Sequence, residues 1–268
     1  MKKRNFTLGL LITLGLAGCS SGTDTDNVIT VGATSVPHAE ILEQAKPLVE
    51  DAGYELDIQV FDDYILPNKA LQNGDLDANY FQHQPYLDEQ IDEFGYDFVS
   101  AANIHVEPIN VYSQKYTSLD QIEDGATVLV SNSVSDQARI LALFAENDLI
   151  TIKEGVDPKF ITFDDIESNP HNLQFDADYE ASLLPSIYNN GEGDLVAINT
   201  NYALAAGLDQ SESVLTESED SEYANVLAVR SEDADSEKTE VLVDALTSDE
   251  IVDFINEEYD GAVIPASN

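Results

Sequence analysis

Basic residues are scarce in this chain: 11 Lys and Arg stand against 52 Asp and Glu, a formal charge of −41. That imbalance excludes nucleic acid as a partner, because the surface carries the same sign as the phosphates. Cysteine is scarcer still. Cys19 is the one cysteine, so no internal disulfide is available. Neither close histidine pairs nor cysteine clusters occur, and the four histidines (His38, His83, His105, His171) are spread widely. This argues against a compact metal motif, although a distributed site stays open. No G-x-S-x-G, P-loop or G-x-G-x-x-G run is present, and no cofactor is expected. The acids are too numerous for any pair to stand out as catalytic. Apolar residues make up an ordinary 43% and are patterned, so the chain reads as folded with an acidic surface rather than as disordered.

The N-terminus is different in character. Lys2, Lys3 and Arg4 precede an apolar run over 6–16 that is too short to span a bilayer, and small residues close it. The sequence Leu16-Ala17-Gly18-Cys19 resembles the bacterial lipobox. Residues 1–18 are therefore expected to be a lipoprotein signal peptide and Cys19 the lipidated residue. Acylation also explains a lone thiol outside the cell. A single chain holds only marginally, so several acyl groups are expected there. Residues 19–27 are small and polar, a flexible tether. Three of the basic residues and none of the acidic ones precede Cys19, which leaves eight against 52, a formal −44. Such a charge points to a salty habitat, where a screening length of roughly 3 Å at 1 M salt suppresses self-repulsion.

Beyond the tether, strand and helix patterns alternate. Residues 30–33 and 56–60 read as strands flanking a helix over 37–52, a parallel pair with a crossover helix. Pro47 conflicts with that helix and Gly53 is placed to stop it. Helices are expected over 85–94, 138–147, 241–246 and 251–255. Strands are expected over 97–100, 106–112, 127–130, 160–163, 173–175, 195–198 and 225–229. Ser118 and Gln121 resemble a capping box. The alternation indicates an α/β protein.

Few residues could carry chemistry. Arg139 follows the small polar run 131–135 at the expected start of a helix, where free backbone N–H groups attract anions. It could grip a carboxylate, or merely pair with a surface acid. Tyr64, Phe81, His83 and Tyr86 lie in two aromatic-rich segments, read as loops. They could wall an apolar slot suited to a thioether, or serve as ordinary core. Asn199 ends an apolar strand and Asn225 sits inside another. Each needs hydrogen-bond partners, from a ligand or from the protein itself.

At these positions the sequence resembles the NlpA-type methionine-binding lipoproteins of ABC importers, over about 29–264. The resemblance rests on Val31-Gly32-Ala33-Thr34, Pro37-His38-Ala39-Glu40-Ile41-Leu42 and Phe61-Asp62-Asp63-Tyr64-Ile65-Leu66-Pro67-Asn68. It continues through Gly74-Asp75-Leu76-Asp77-Ala78-Asn79, Phe81-Gln82-His83-Gln84-Pro85-Tyr86-Leu87-Asp88, Ile198-Asn199-Thr200-Asn201-Tyr202-Ala203 and the strand holding Asn225. It implies a type II binding-protein fold, two α/β lobes with the ligand between them. The expected lobes are 28–110 with 229–268, and 111–228. It further implies that Tyr64, Phe81, His83 and Tyr86 surround a methionine side chain. Arg139 would hold the α-carboxylate, and Asn199 and Asn225 the polar end. The implied partners are methionine or a close relative (D-form, sulfoxide or methionyl dipeptide), an importer's permease and ATPase subunits, and the membrane through the lipid anchor. The run Asn132-Ser133-Val134-Ser135-Asp136-Gln137-Ala138-Arg139 departs from the family, which commonly has asparagine where Asp136 stands. An added carboxylate there weakens a carboxylate grip or favours an ammonium.

Overall fold

The computed structural model describes residues 27–218 and 221–266. Cys19, the signal region and most of the tether lie outside them. The chain begins β1 (Val28–Ala33), α1 (Glu40–Asp51), β2 (Glu55–Val60), α2 (Leu66–Asn73), β3 (Ala78–His83) and α3 (Gln84–Phe94). It continues β4 (Phe98–Val106), β5 (Asn110–Tyr112), β6 (Thr127–Ser131), α4 (Val134–Glu146), β7 (Thr151–Ile152), β8 (Ile166–Ser168) and β9 (Gln174–Tyr179). The remainder is α5 (Leu184–Asn189), β10 (Leu195–Ile198), α6 (Thr200–Ala205), β11 (Ser213–Thr216) and β12 (Ala224–Arg230), then α7 (Glu237–Leu246), α8 (Asp249–Glu258) and β13 (Ile264–Pro265).

Two mixed sheets form two lobes. The first has strand order β13-β4-β12-β3-β1-β2 and the second β11-β5-β10-β6-β9. Each sheet is covered on both faces, as the alternation of its buried residues requires. Along β12, Leu227 and Val229 join the core beneath α1, α7 and α8, while Val226 and Ala228 join a smaller core with Leu71 and Leu87. Along β10, Leu195 and Ala197 face the core holding Phe144, while Val196 and Ile198 face Tyr112 and Leu184. The expected parallel pairing of β1 with β2 is present, in register from Val28 with Glu55 to Ala33 with Val60. Pro47 is accommodated because it lies on the exposed face of α1, where the carbonyl it leaves unpaired meets water.

Several sequence expectations need correction. The stretch holding Phe81 and His83 is no loop: it is β3, buried at every position, and its two-sided burial erases the alternation that would have marked it. Tyr86 lies in the first turn of α3, whose N-terminus is capped by His83 Nδ1 accepting from the Tyr86 backbone N–H at 3.1 Å. The strands expected over 97–100 and 106–112 are instead one long strand, β4, followed by the short β5. Helix α4 starts four residues before the expected 138, at Val134. Gln121 accepts from Thr117 rather than boxing Ser118. Residues 160–163 form no strand: Phe160 ends one short helical turn, Phe163 begins the next, and Ile161 and Thr162 link them, with Phe160 exposed. The whole of β12 belongs to the first sheet. The second crossing between lobes therefore precedes Ala224 and is not at Val229, because β12 must pair along its full length with β3 and β4. At the other crossing, β5 with Asn110 already belongs to the second sheet.

Candidate functional site

The cleft between the lobes holds a small, tightly closed cavity. Tyr64, Phe81, His83, Tyr86, Arg139, Asn199 and Asn225 all line it. These seven were drawn from segments far apart in sequence. The first lobe contributes Tyr64 from the turn before α2, Phe81 and His83 from β3, Tyr86 from α3 and Asn225 from β12. The second contributes Arg139 from α4 and Asn199 from the end of β10.

Local features aim these side chains. Asp63 Oδ1 accepts from the backbone N–H groups of Ile65 and Leu66 at 2.7 and 2.8 Å, which shapes the turn that presents Tyr64. In β3, Gln82 pairs with Val226 and Tyr80 with Leu227, so Phe81 is the extra residue of a β-bulge. Bulges re-aim side chains in this way near functional sites. The rings of Tyr64, Phe81 and Tyr86 lie with centroids 6.0 to 6.3 Å apart. Together they form an apolar wall suited to aliphatic or thioether contacts.

Charged groups also line the cavity. The Arg139 guanidinium is buried and lies 4.4 Å from the Tyr223 ring centroid. Its Nε donates to both carboxylate oxygens of Glu217 at 3.0 and 3.1 Å, and its Nη2 donates to Glu217 and, at 2.7 Å, to the Glu107 carbonyl. Nη1 has no protein acceptor among the described residues. Burial opposes the charge, but the adjoining Glu217 carboxylate outweighs it and holds Arg139 firmly protonated. The expected anion site at the helix start is already filled by the protein. Ser133 accepts from the Asp136 N–H, and Glu89 accepts from the Ser135 N–H at 3.2 Å. Asp136 itself enters the cavity as a buried carboxylate.

Both asparagines have protein partners. Asn225 Oδ1 accepts from His38 Nε2 at 3.1 Å. Asn199 Nδ2 donates to Asp136 Oδ2 at 3.1 Å. Asn199 Oδ1 is buried without a partner among the described residues, a condition that costs free energy unless another donor arrives.

Composition did not point to Gln82, Glu107, Asn201 or Glu217. Glu107 lies just after β4, between the lobes, and forms a buried group with His38 and His105 that could in principle hold a metal. His105 Nε2 lies 2.7 Å and His38 Nε2 3.3 Å from Glu107 Oε1. His38 Nδ1 faces Thr34 Oγ1 at 2.8 Å, and His105 Nδ1 faces the Tyr80 hydroxyl. Every ring nitrogen thus has a partner, with hydroxyls donating to Nδ1 and protons on Nε2. The arrangement is a satisfied hydrogen-bond network rather than an open ligand set. Burial pulls the His38 pKa down to about 4, so the ring is neutral at pH 7. Burial pushes the Glu107 pKa up, but the two imidazoles outweigh it and keep its carboxyl below the usual range. The sequence signal for this network is two polar residues, His105 and Glu107, beside the apolar Ile104 and Val106.

The lobes also touch directly. The Tyr64 hydroxyl donates to Asn201 Oδ1 at 2.6 Å, Tyr202 donates to the Asp62 carbonyl at 3.3 Å, and His83 Nε2 reaches Asp136 Oδ1 at 3.4 Å. The Tyr64 and Tyr202 rings lie 4.9 Å apart. This is a cleft whose two sides meet over the cavity.

Comparison with known proteins places this architecture. The chain is 42% identical over 274 residues to the methionine-binding lipoprotein MetQ of Bacillus subtilis, covering 100% of both. It resembles the structure of a nutrient-binding protein from Burkholderia cenocepacia bound to methionine, with 38% identity and a TM-score of 0.84, over 89% of this chain and 100% of that one. It also resembles an ABC transporter periplasmic substrate-binding protein from Coxiella burnetii, with 39% identity and a TM-score of 0.83, over 89% and 100%. These findings carry no support for the saline expectation, which rests on charge alone. The NlpA lipoprotein family matches residues 29–267, and with that coverage the chain belongs to the NlpA lipoprotein family.

Proposed function

We propose that this chain is a lipid-anchored solute-binding protein on the extracytoplasmic face of the membrane. It captures methionine, or a close relative, for an ABC importer. It is a binding protein and not an enzyme. The observation that carries the reading is the interlobe cavity, lined by a cationic guanidinium, two asparagine amides and a cluster of aromatic rings. That polarity matches a small zwitterion with an apolar tail. Arg139 Nη1 and the Asn225 amide face the α-carboxylate, Asn199 serves the polar end, and Tyr64, Phe81, His83 and Tyr86 surround the thioether.

Capture works by closure. A ligand bridging the two walls stabilises the form in which Tyr64 meets Asn201, and the permease and ATPase assembly receives that form. Cys19, acylated after cleavage of residues 1–18, tethers the lobes to the membrane. No helix among the described residues is long and apolar enough to cross a membrane.

The test is mass spectrometry of small molecules released from freshly purified, denatured protein, joined to thermal melting. Methionine at 100 times its Kd should add about 2.7 kcal/mol of stability. Absence of methionine compounds from the extract, together with an unshifted melting curve, would sink the reading.

A further inference from the structure

The cavity carries more negative charge than a zwitterion requires. Among the described residues Arg139 is the one Lys or Arg lining it, and Glu217 already neutralises it. The Glu107 carboxylate is met by two imidazoles, of which His38 is neutral. Asp136 then remains without a cation of its own. Its Oδ2 accepts from Ser131 Oγ at 2.8 Å and Asn199 Nδ2 at 3.1 Å. Its Oδ1 faces His83 Nε2 at 3.4 Å. His83 is itself a neutral donor, because its Nδ1 accepts the Tyr86 N–H and its one proton therefore sits on Nε2. Burial pushes the Asp136 carboxyl upward, but the contacts from His83, Ser131 and Arg139 outweigh it and keep the group ionised.

A buried carboxylate surrounded mainly by neutral dipoles is costly unless a cation joins it. Beside it lies the orphaned Asn199 Oδ1, whose amide orientation is set by its Nδ2 bond to Asp136. Two acceptors, one of them charged, thus share the cavity wall. Asn225 has the opposite polarity: His38 occupies its Oδ1, which leaves Nδ2 as the donor. We propose that Asp136 is the specificity-determining residue of this cavity: with Asn199 Oδ1 it receives the ligand's free ammonium and rejects compounds whose α-nitrogen is acylated. The proposal rests on the amino-acid reading above and sharpens its ligand class to free methionine and N-terminally unblocked derivatives.

Isothermal titration of the intact mature protein and of Asp136→Asn, with three probes, tests it. The probes are L-methionine, L-methioninamide and N-acetyl-L-methionine. Wild type should bind the acetylated compound roughly 100-fold or more weakly than methionine. Methioninamide should bind within about tenfold of methionine, because Glu217 already balances Arg139. Asp136→Asn should weaken methionine about tenfold and shrink the gap to the acetylated probe by a similar factor. Acetylmethionine binding wild type within about tenfold of methionine overturns the proposal, as does an unchanged gap in a folded variant. Should Asp136→Asn not fold, the wild-type ratios decide alone. Failure of all three probes to bind overturns the methionine reading as well; methionine binding without discrimination overturns only the role of Asp136.

Discussion

Replacing Tyr64 with phenylalanine isolates the closure of the cleft from the fold of either lobe. The substitution removes one hydroxyl and keeps the ring against Phe81, Tyr86 and Tyr202. Burial raises the Tyr64 pKa well above its ordinary value, so the phenol is neutral and a single neutral hydrogen bond is lost. That bond, 2.6 Å to Asn201 Oδ1, joins the lobes. Opening the cleft exposes both partners to water, so its deletion costs little in the open form. Closing the cleft without it leaves Asn201 Oδ1 short of a donor. The expected penalty is about 1–2 kcal/mol, which corresponds to a Kd roughly 5- to 30-fold weaker. Most of it should appear as faster dissociation. Surface plasmon resonance with immobilised protein gives both rates. A double-mutant cycle with Asn201→Ala separates the latch from any direct contact of Tyr64 with ligand, with an expected coupling of about 1 kcal/mol. A Kd within about twofold of wild type, or no coupling in the cycle, refutes the assignment of this pair as a closure latch.

Three further outcomes are expected. Arg139→Ala should lose methionine binding by tenfold or more, on the order of 1.5–3 kcal/mol. It should also lower folding stability by about 3–5 kcal/mol, because Glu217 is left nearly buried without its cation; urea denaturation with no loss would show that Glu217 finds water instead. The pKa of His38, lowered from 6.5 to about 4, makes the unfolded state the one that takes up a proton as pH falls from 6.5 to 4. Stability contributed by this group is therefore complete above pH 6.5 and declines by about 3 kcal/mol on acidification to pH 4. His38→Gln should flatten that part of the stability–pH curve, and an equal slope in both proteins would contradict the neutral assignment. Finally, with a formal −44 from Cys19 onward, Tm should rise steadily as potassium chloride is raised to about 1 M; a flat melting temperature would remove the argument for a saline habitat.

Much of the secondary structure was legible from local pattern. Leu195 to Ile198 showed as an uninterrupted apolar run, and Ile251 to Ile255 showed the spacing of a helix face. Beta strand β3 was illegible for the opposite reason. Its two faces are both buried, one by Ala78 and Tyr80 in the main core and the other by Asn79 and Gln82 bonded to Asn68. A bulge at Phe81 then breaks what alternation remained. The boundary near Val229 was misplaced because a strand's sheet membership depends on distant partners, β3 and β4, and not on its own residues. Arg139 and the aromatics were visible as candidates, but spacing alone did not separate them from surface or core roles.

Taken alone, the sequence determined the α/β class, the acidic surface, the lone cysteine and the family motifs, since each of these is a property of composition or of short runs. Tertiary structure decided the partners of each amide, that Glu217 holds Arg139, and that Asp136 enters the cavity with no Lys or Arg bridged to it among the described residues. Those outcomes depend on hydrogen bonds between residues separated by 53 to 187 positions. Such bonds leave no local pattern, because the chain must fold before either partner meets the other.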